Sequence, residues 1–345
     1  MHLSVLRETQ QLQNLADEWN ALLLESASHV PFLRHEYLLT WWNFLGGGEW
    51  QDGELYTIIG RDSGGRLSGI APFFLTQTRQ GKSTLMLLGS YEISDYLDVI
   101  ARQADLPVFI ESVCDHLASS TAPAWDTIDL YNVLETSPTL PILEKAATRK
   151  GWKLTSFSGE EMHHCPVITL PGDWEAYLAG IDKKQRHEIR RKLRRAEESE
   201  VPVRWYIVQE SDNLETEIEA LFRLMAQNAE KQAFLTEAMQ QQLRAIIQAA
   251  YDHGWLQLAF LEVNGEKAAV YLNFDYHNGI WVYNSGLDNN YGVYSPGWVL
   301  LAYLLRWANE HGRQFFDFMR GNEDYKYRFG GKNRFIKRIL IERNG

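Results

Sequence analysis

Several things are scarce in this chain, and each scarcity excludes a class of protein. Its 345 residues include only two cysteines, Cys114 and Cys165, too few for a disulfide framework. No apolar run reaches the ~20 residues of a membrane helix, and no basic-then-apolar segment opens the sequence. The expected location is therefore the cytoplasm, with no membrane span. Positive charge is short: 34 Lys and Arg stand against 45 Asp and Glu, a net charge of −11. That balance argues against general binding to nucleic acid or anionic membranes and leaves room only for a local basic patch. There is no G-x-S-x-G elbow and no Walker-type loop. His163, His164 and Cys165 point to alternate faces of an extended stretch with no fourth ligand nearby, so no metal is expected.

What is present is globular: 45% apolar and 23% charged residues, in a length that fits two domains. Twelve Trp and sixteen Tyr are unusual; many must be core, but aromatics beside polar groups also suit sugar or peptide ligands. A repeat supplies the organisation. Leu55 to Leu75 reads as a hairpin around Asp62-Ser63-Gly64-Gly65, and Leu256 to Phe274 as one around Asn264-Gly265. Each is followed by a strand (Thr84 to Ser90; Ile280 to Ser285), a helix (Leu106 to Leu117; Gly297 to Asn309) and a strand bearing an aspartate (Asp129; Asp317). The matching places of Asp129 and Asp317 favour a shared structural role. Amphipathic helices precede each hairpin, at Leu12 to Leu24 and from Leu214 to Ala229. The chain is read as a duplicated α/β unit, residues 1–160 and 161–345, joined near Ser156 to Pro171.

Polar chemistry gathers between Asp288 and Gly331. Ser295 suits an N-cap, Pro296 the first helical position, and Gly297 a close approach by a ligand. The apolar helix that follows leaves its first amides facing outward, where they and the dipole favour an anion. From Ser-Pro-Gly alone an ordinary helix cap is the favoured reading. The first copy has acidic Asp95-Tyr96-Leu97-Asp98 in the matching place, so if the chain binds a phosphorylated donor, the second copy should do it. After the last strand comes Arg320-Gly321-Asn322-Glu323-Asp324-Tyr325-Lys326. Lys183 to Arg195 forms a basic helix. Asp182–Arg186, Glu188–Lys192 and Arg194–Glu198 are its i,i+4 pairs, leaving Arg190, Arg191 and Arg195 as a local positive field.

The stretch G-L-D-x-x-Y-x-x-Y-S-P-G, then D-F-M-R-G-N-E-D-Y-K-Y-R-F-G, resembles the bacterial CelD/BcsL-type acyltransferases of the GNAT superfamily. Cys165 to Pro171, Trp174, the Lys184 to Arg195 helix, Pro31-Phe32-Leu33, Trp41-Trp42, Leu88-Gly89-Ser90 and Asp95-Tyr96 are similar to that family too. The resemblance spans nearly the whole chain. The related FemAB-type transferases share a tandem GNAT-like fold, so it implies two such units, each a mixed sheet flanked by helices. The first would bind the acceptor or be structural, and the second would carry the donor.

By resemblance, Ser295, Pro296 and Gly297 would cradle the donor pyrophosphate, although the usual R/Q-x-x-G-x-G/A pattern is missing. Arg186 and Arg190 match the family's basic pattern. Tyr325-Lys326-x-x-Phe329-Gly330 is similar to the FemAB-type aromatic-Lys-x-x-Phe-Gly motif and implies an oxyanion-stabilising role for Lys326. Glu323 and Asp95 are the candidate bases. Trp41, Trp42, Tyr96, Asp288 and Tyr291 are candidate acceptor-binding residues, with an acceptor cleft expected between the units. The implied activity moves an acyl group from acyl-CoA, a co-substrate of which acetyl-CoA is the simplest, to an amine or hydroxyl of a polysaccharide or cell-envelope precursor. No permanently bound cofactor is implied. Two alternatives stay open: FemAB-type aminoacyl transfer from tRNA, and a non-catalytic binding protein on a transferase fold.

Overall fold

A computed structural model describes residues 1–78, 80–157 and 163–343. It divides into two compact units, Met1–His163 with the residues from Phe335 on, and His164–Arg334. The boundary read from the sequence, between residues 160 and 161, falls outside the described residues. The carboxyl end differs from that reading: the residues from Phe335 on, read as part of the second unit, pack with the first.

The first unit contains strands β1 (His2–Leu6), β2 (Glu54–Leu55), β3 (Thr57–Arg61), β4 (Leu67–Ala71), β5 (Phe73–Gln77), β6 (Ser83–Leu87), β7 (Ile100–Ala101), β8 (Thr127–Leu134) and β9 (Lys153–Ser156). Its helices are α1 (Thr9–Gln13), α2 (Ala16–Leu24), α3 (His35–Asn43), α4 (Leu45–Gly48), α5 (Leu106–Ala118) and α6 (Thr139–Arg149). One sheet runs β1-β3-β4-β7, and β8-β6-β5-β2 are paired in that order in another. Pro72 separates β4 from β5. Lacking an N–H, proline interrupts a ladder, and here the strand changes sheets across it. The single helix expected over Leu12 to Leu24 is two, α1 and α2, interrupted at Asn14-Leu15. Helix α5 buries Leu106, Phe109, Ile110, Val113, Cys114 and Leu117 on one stripe, as its spacing requires.

The second unit contains β10 (His163–Thr169), β11 (Val203–Ile207), β12 (Leu256–Val263), β13 (Glu266–Tyr276), β14 (Gly279–Leu287) and β15 (Phe315–Asp317). Its helices are α7 (Trp174–Gly180), α8 (Lys183–Glu197), α9 (Leu214–Met225), α10 (Ala229–Phe234), α11 (Glu237–Asp252), α12 (Pro296–Glu310) and α13 (Asp324–Arg328). The sheet order is β11-β12-β13-β14-β15-β10. The β12–β13 turn places Asn264 and Gly265 at φ 55° and 80°, the left-handed pair that makes Asn-Gly the strongest short hairpin signal. Helix α12 is buried almost all round, through Val299, Leu300, Leu301, Ala302, Leu304, Leu305 and Ala308, and forms the middle of this unit's core. The closing strand, β16 (Lys332–Glu342), pairs antiparallel with β8 and with β9.

The duplication is visible in the register. In the first unit β6 and β8 run parallel for three pairs, ending at Met86 opposite Asp129. In the second β14 and β15 run parallel for three pairs, ending at Trp281 opposite Asp317. Both aspartates brace their surroundings. Asp129 accepts two hydrogen bonds from Arg338, 2.7 and 2.6 Å long, and Asp317 accepts the Met319 amide at 2.8 Å.

Candidate active site

Strand β14 continues for six residues beyond its last pair with β15, so the two parallel strands part after Trp281 and Asp317. On its other side the β13–β14 register slips between Leu272 and Asn273, leaving Tyr283 as the extra residue of a bulge. A bulge bends its strand and breaks the ladder locally. At Ser285, beyond the bulge, the backbone meets two side chains. The amide donates to Asn284 Oδ1 at 2.9 Å, and the carbonyl accepts from Lys231 Nζ. The carbonyl and amide of a single extended residue are thus met by side chains, which a peptide-like ligand can displace. Gly286 follows. A Cβ there would lie 2.6 Å from the backbone of Leu224 and Met225, so only glycine lets α9 approach β14 this closely. A cleft of about 200 Å³ opens here, lined by Met225, Asn228, Lys231, Ser285, Gly286 and Leu287 among others.

The loop after β15 lines up polar groups on one lysine. Lys326 is 2% exposed, and its ammonium donates to the carbonyls of Phe318 (3.2 Å), Arg320 (2.9 Å) and Gly321 (3.3 Å). Glu323 Oε2 lies 2.9 Å away. Gly321 has φ 126°, and a Cβ on it would lie 2.3 Å from the Glu323 carboxylate and 2.6 Å from Lys326 Nζ. Four acceptors surround three N–H groups, so the ammonium ties the loop together. The resemblance implied an oxyanion-stabilising role for this lysine; here its ammonium is directed at the loop carbonyls and Glu323. Glu323 has a side chain 58% exposed, which leaves one face open to solvent. Tyr271 and Tyr325 are hydrogen-bonded to each other, and burial pushes both phenols up, keeping them neutral.

At the start of α12, Ser295 holds a left-handed conformation (φ 52°) and makes no side-chain cap. It occupies the N-cap position, but its hydroxyl does not do the expected capping. Pro296 has no N–H, and Gly297 faces only Leu287, at an ordinary 3.5 Å from a would-be Cβ. Lys192 stands beside this turn, its ammonium 4.4 Å from the Trp298 ring centre and 3.7 Å from Glu188. Burial is the largest influence on Lys192, drawing its pKa down against the pull of Glu188.

Other candidates are placed elsewhere. Arg186 donates to the carbonyls of Leu178 and Ala179, closing the end of α7. Arg190 pairs with Glu175 and Arg191 with Glu188. The positive field expected from Arg190 and Arg191 is therefore offset by neighbouring carboxylates. Asp182 caps α8 through the amides of Lys184 and Gln185, instead of pairing with Arg186 through its side chain. Asp288 caps the short 3-10 turn Asn289–Tyr294, and Tyr291 packs against the core. In the first unit Trp41 is fully buried against Phe74 at 5.3 Å between ring centres. Trp42 donates to Thr9. Asp95 and Tyr96 are buried. His164 meets Asn333 at 2.9 Å and Cys165 is buried, as alternation along a strand dictates.

Sequence reasoning missed Lys231, Ser285 and the placement of Lys192. Lys231 sits in A-E-K-Q-A-F, a segment with no apolar stripe, so nothing in the pattern separates it from a surface lysine.

Two units with matched parallel strand pairs, one of them opening beside a helix start, define a tandem GNAT-like α/β fold. Residues 183–327 match the family model described as an acetyltransferase (GNAT) domain. The crystal structure of FemX is similar over 98% of this chain and 97% of its own, with a TM-score of 0.65 and 12% identity. The structure of L-PGS from Bacillus licheniformis is similar over 95% and 91%, at 0.54 and 13%. A tandem GNAT protein from the clavulanic acid biosynthesis pathway is similar over 100% of both chains, at 0.50 and 12%. No curated protein matches the chain.

Proposed function

We propose that this protein transfers an acyl group from an acyl-CoA to an amine or hydroxyl acceptor, at the opening between β14 and β15. The carrying observation is the Ser285 backbone on the parted edge of β14, whose amide and carbonyl are met by the displaceable side chains of Asn284 and Lys231. The two amides of a pantetheine arm are suited to add to that edge as a short strand would. Its pyrophosphate then reaches the first turn of α12, where the backbone amides and Lys192 favour an anion.

The acceptor's nitrogen or oxygen attacks the thioester carbonyl carbon, and Glu323 takes the proton it loses. The tetrahedral intermediate collapses, the C–S bond breaks, and CoA leaves as a thiolate that is reprotonated. Lys326 fixes the loop that carries Glu323. The acceptor class, a polysaccharide or cell-envelope precursor, rests on the sequence resemblance. Transfer from an aminoacyl-tRNA is less well supported, because Arg190 and Arg191 are both paired with carboxylates.

Thermal denaturation with and without acyl-CoA esters tests the reading. A donor at about 100 times its Kd stabilises the folded state by about 2.7 kcal/mol. The absence of a shift with every ester, acetyl to long-chain, would return the protein to a non-catalytic binding role.

A further inference from the structure

Lys231 is the feature that the acyl-transfer scheme leaves unused. It comes from α10, a six-residue helix with no buried residue, yet its own ammonium is carried inward to the edge of β14. There it donates to the Ser285 carbonyl and, at 3.4 Å, to the Ser285 hydroxyl. Both partners are neutral. Among the described residues no carboxylate lies within ion-pairing distance of it. Glu323 reaches it only through space and is already bonded to Lys326. Burial accordingly draws the pKa of Lys231 down, with Glu323 acting against that shift and Lys326 reinforcing it. Two ammonium groups thus share one carboxylate beside a cleft of about 200 Å³. A desolvated cation lacking its own counterion is costly unless a bound partner supplies the charge.

We propose that Lys231 is a specificity-determining residue that receives a carboxylate carried by one of the substrates. The inference rests on the acyl-transfer reading above. When a donor amide takes the Ser285 carbonyl, the Lys231 ammonium loses its principal neutral partner while remaining at the cleft. A carboxylate on the acyl group, or on the acceptor, then supplies the missing negative charge. Lys326 cannot do this, because its N–H groups are all directed at the loop. Of the remaining wall, Leu224, Met225 and Leu287 offer apolar surface to the chain between that carboxylate and the reacting carbon, and Gln227, Asn228 and Asn289 offer polar groups.

Calorimetric titration of wild type, Lys231→Met and Lys231→Arg decides the matter in two arms. The donor arm compares succinyl-CoA with butyryl-CoA, which have equal carbon counts and differ in the terminal carboxylate. The acceptor arm compares glucuronate with glucose, with and without CoA. The expected result is a preference of about tenfold for the carboxylated member of one pair, the size of one charge-assisted hydrogen bond. It is lost in Lys231→Met and kept in Lys231→Arg. The arm that shows it identifies which substrate carries the carboxylate. Equal responses within both pairs in wild type, including no response, overturn the proposal, as does a preference that survives in Lys231→Met. If CoA esters bind without discrimination and glucuronate is not preferred over glucose, the acyl-transfer reading stands and only the role of Lys231 falls. If none binds but glucuronate is preferred through Lys231, the donor reading falls and the carboxylate site stands.

Discussion

At the scale of the residue, the same side-chain type serves opposite ends according to what surrounds it. Lys326 and Lys231 are both inward-pointing lysines. The first is saturated by three carbonyls and a carboxylate; the second has only the carbonyl and hydroxyl of Ser285. Lys326→Met should therefore lower stability by about 1–3 kcal/mol through buried carbonyls left unpaired, read from urea midpoints. Glu323→Gln, at a mostly exposed carboxylate, should leave the midpoint nearly unchanged and lower turnover by about a hundredfold or more. Wild-type turnover in Glu323→Gln would remove it as the proton acceptor. In the first unit Asp98 is wholly buried and accepts from the hydroxyls of Ser28 and Ser137. Burial raises its pKa above 3.8, against the pull of those hydrogen bonds. The folded state then holds the proton to higher pH than the unfolded state does. Stability should fall as pH rises from the unfolded value through the folded one, and Asp98→Asn should flatten that segment of a stability–pH profile.

Elements were legible where local chemistry sets the backbone. Asn264-Gly265 announced its hairpin because few other pairs accept two left-handed residues. The apolar surface of α12 announced burial. Breaks were less legible. Nothing in Leu12 to Leu24 separates α1 from α2, because the apolar spacing continues across Asn14-Leu15. The bulge at Tyr283 follows from strand pairing distant in sequence. At Gly286 the constraint is the approach of α9, so Gly286→Val should force α9 off β14. The expected cost is about 1–3 kcal/mol from overpacking, measured as a lowered thermal midpoint together with weakened donor binding at the adjacent edge.

For the whole molecule, the duplicated order of elements was read correctly from hairpin, strand, helix and aspartate-bearing strand, and the two parallel registers ending at Asp129 and Asp317 give it physical form. The path of the last strand was not readable. Residues from Phe335 on complete the first unit, with β16 paired to both β8 and β9. A chain ending at Arg334 should lose the cooperative unfolding of the first unit, seen as a second, earlier thermal transition. By itself the sequence determined two α/β units, the buried helix after Ser295-Pro296-Gly297 and the polar turn around Lys326, because turn chemistry and apolar spacing are local properties. The tertiary structure decided which polar groups are available. It closed Arg186 and Lys326 onto backbone carbonyls and buried Trp41 and Asp95. It also carried Lys231 to an open strand edge. The hydrogen-bonding capacity of a side chain is fixed by its type, but whether any of it is left for a ligand depends on neighbours that folding brings from elsewhere in the chain.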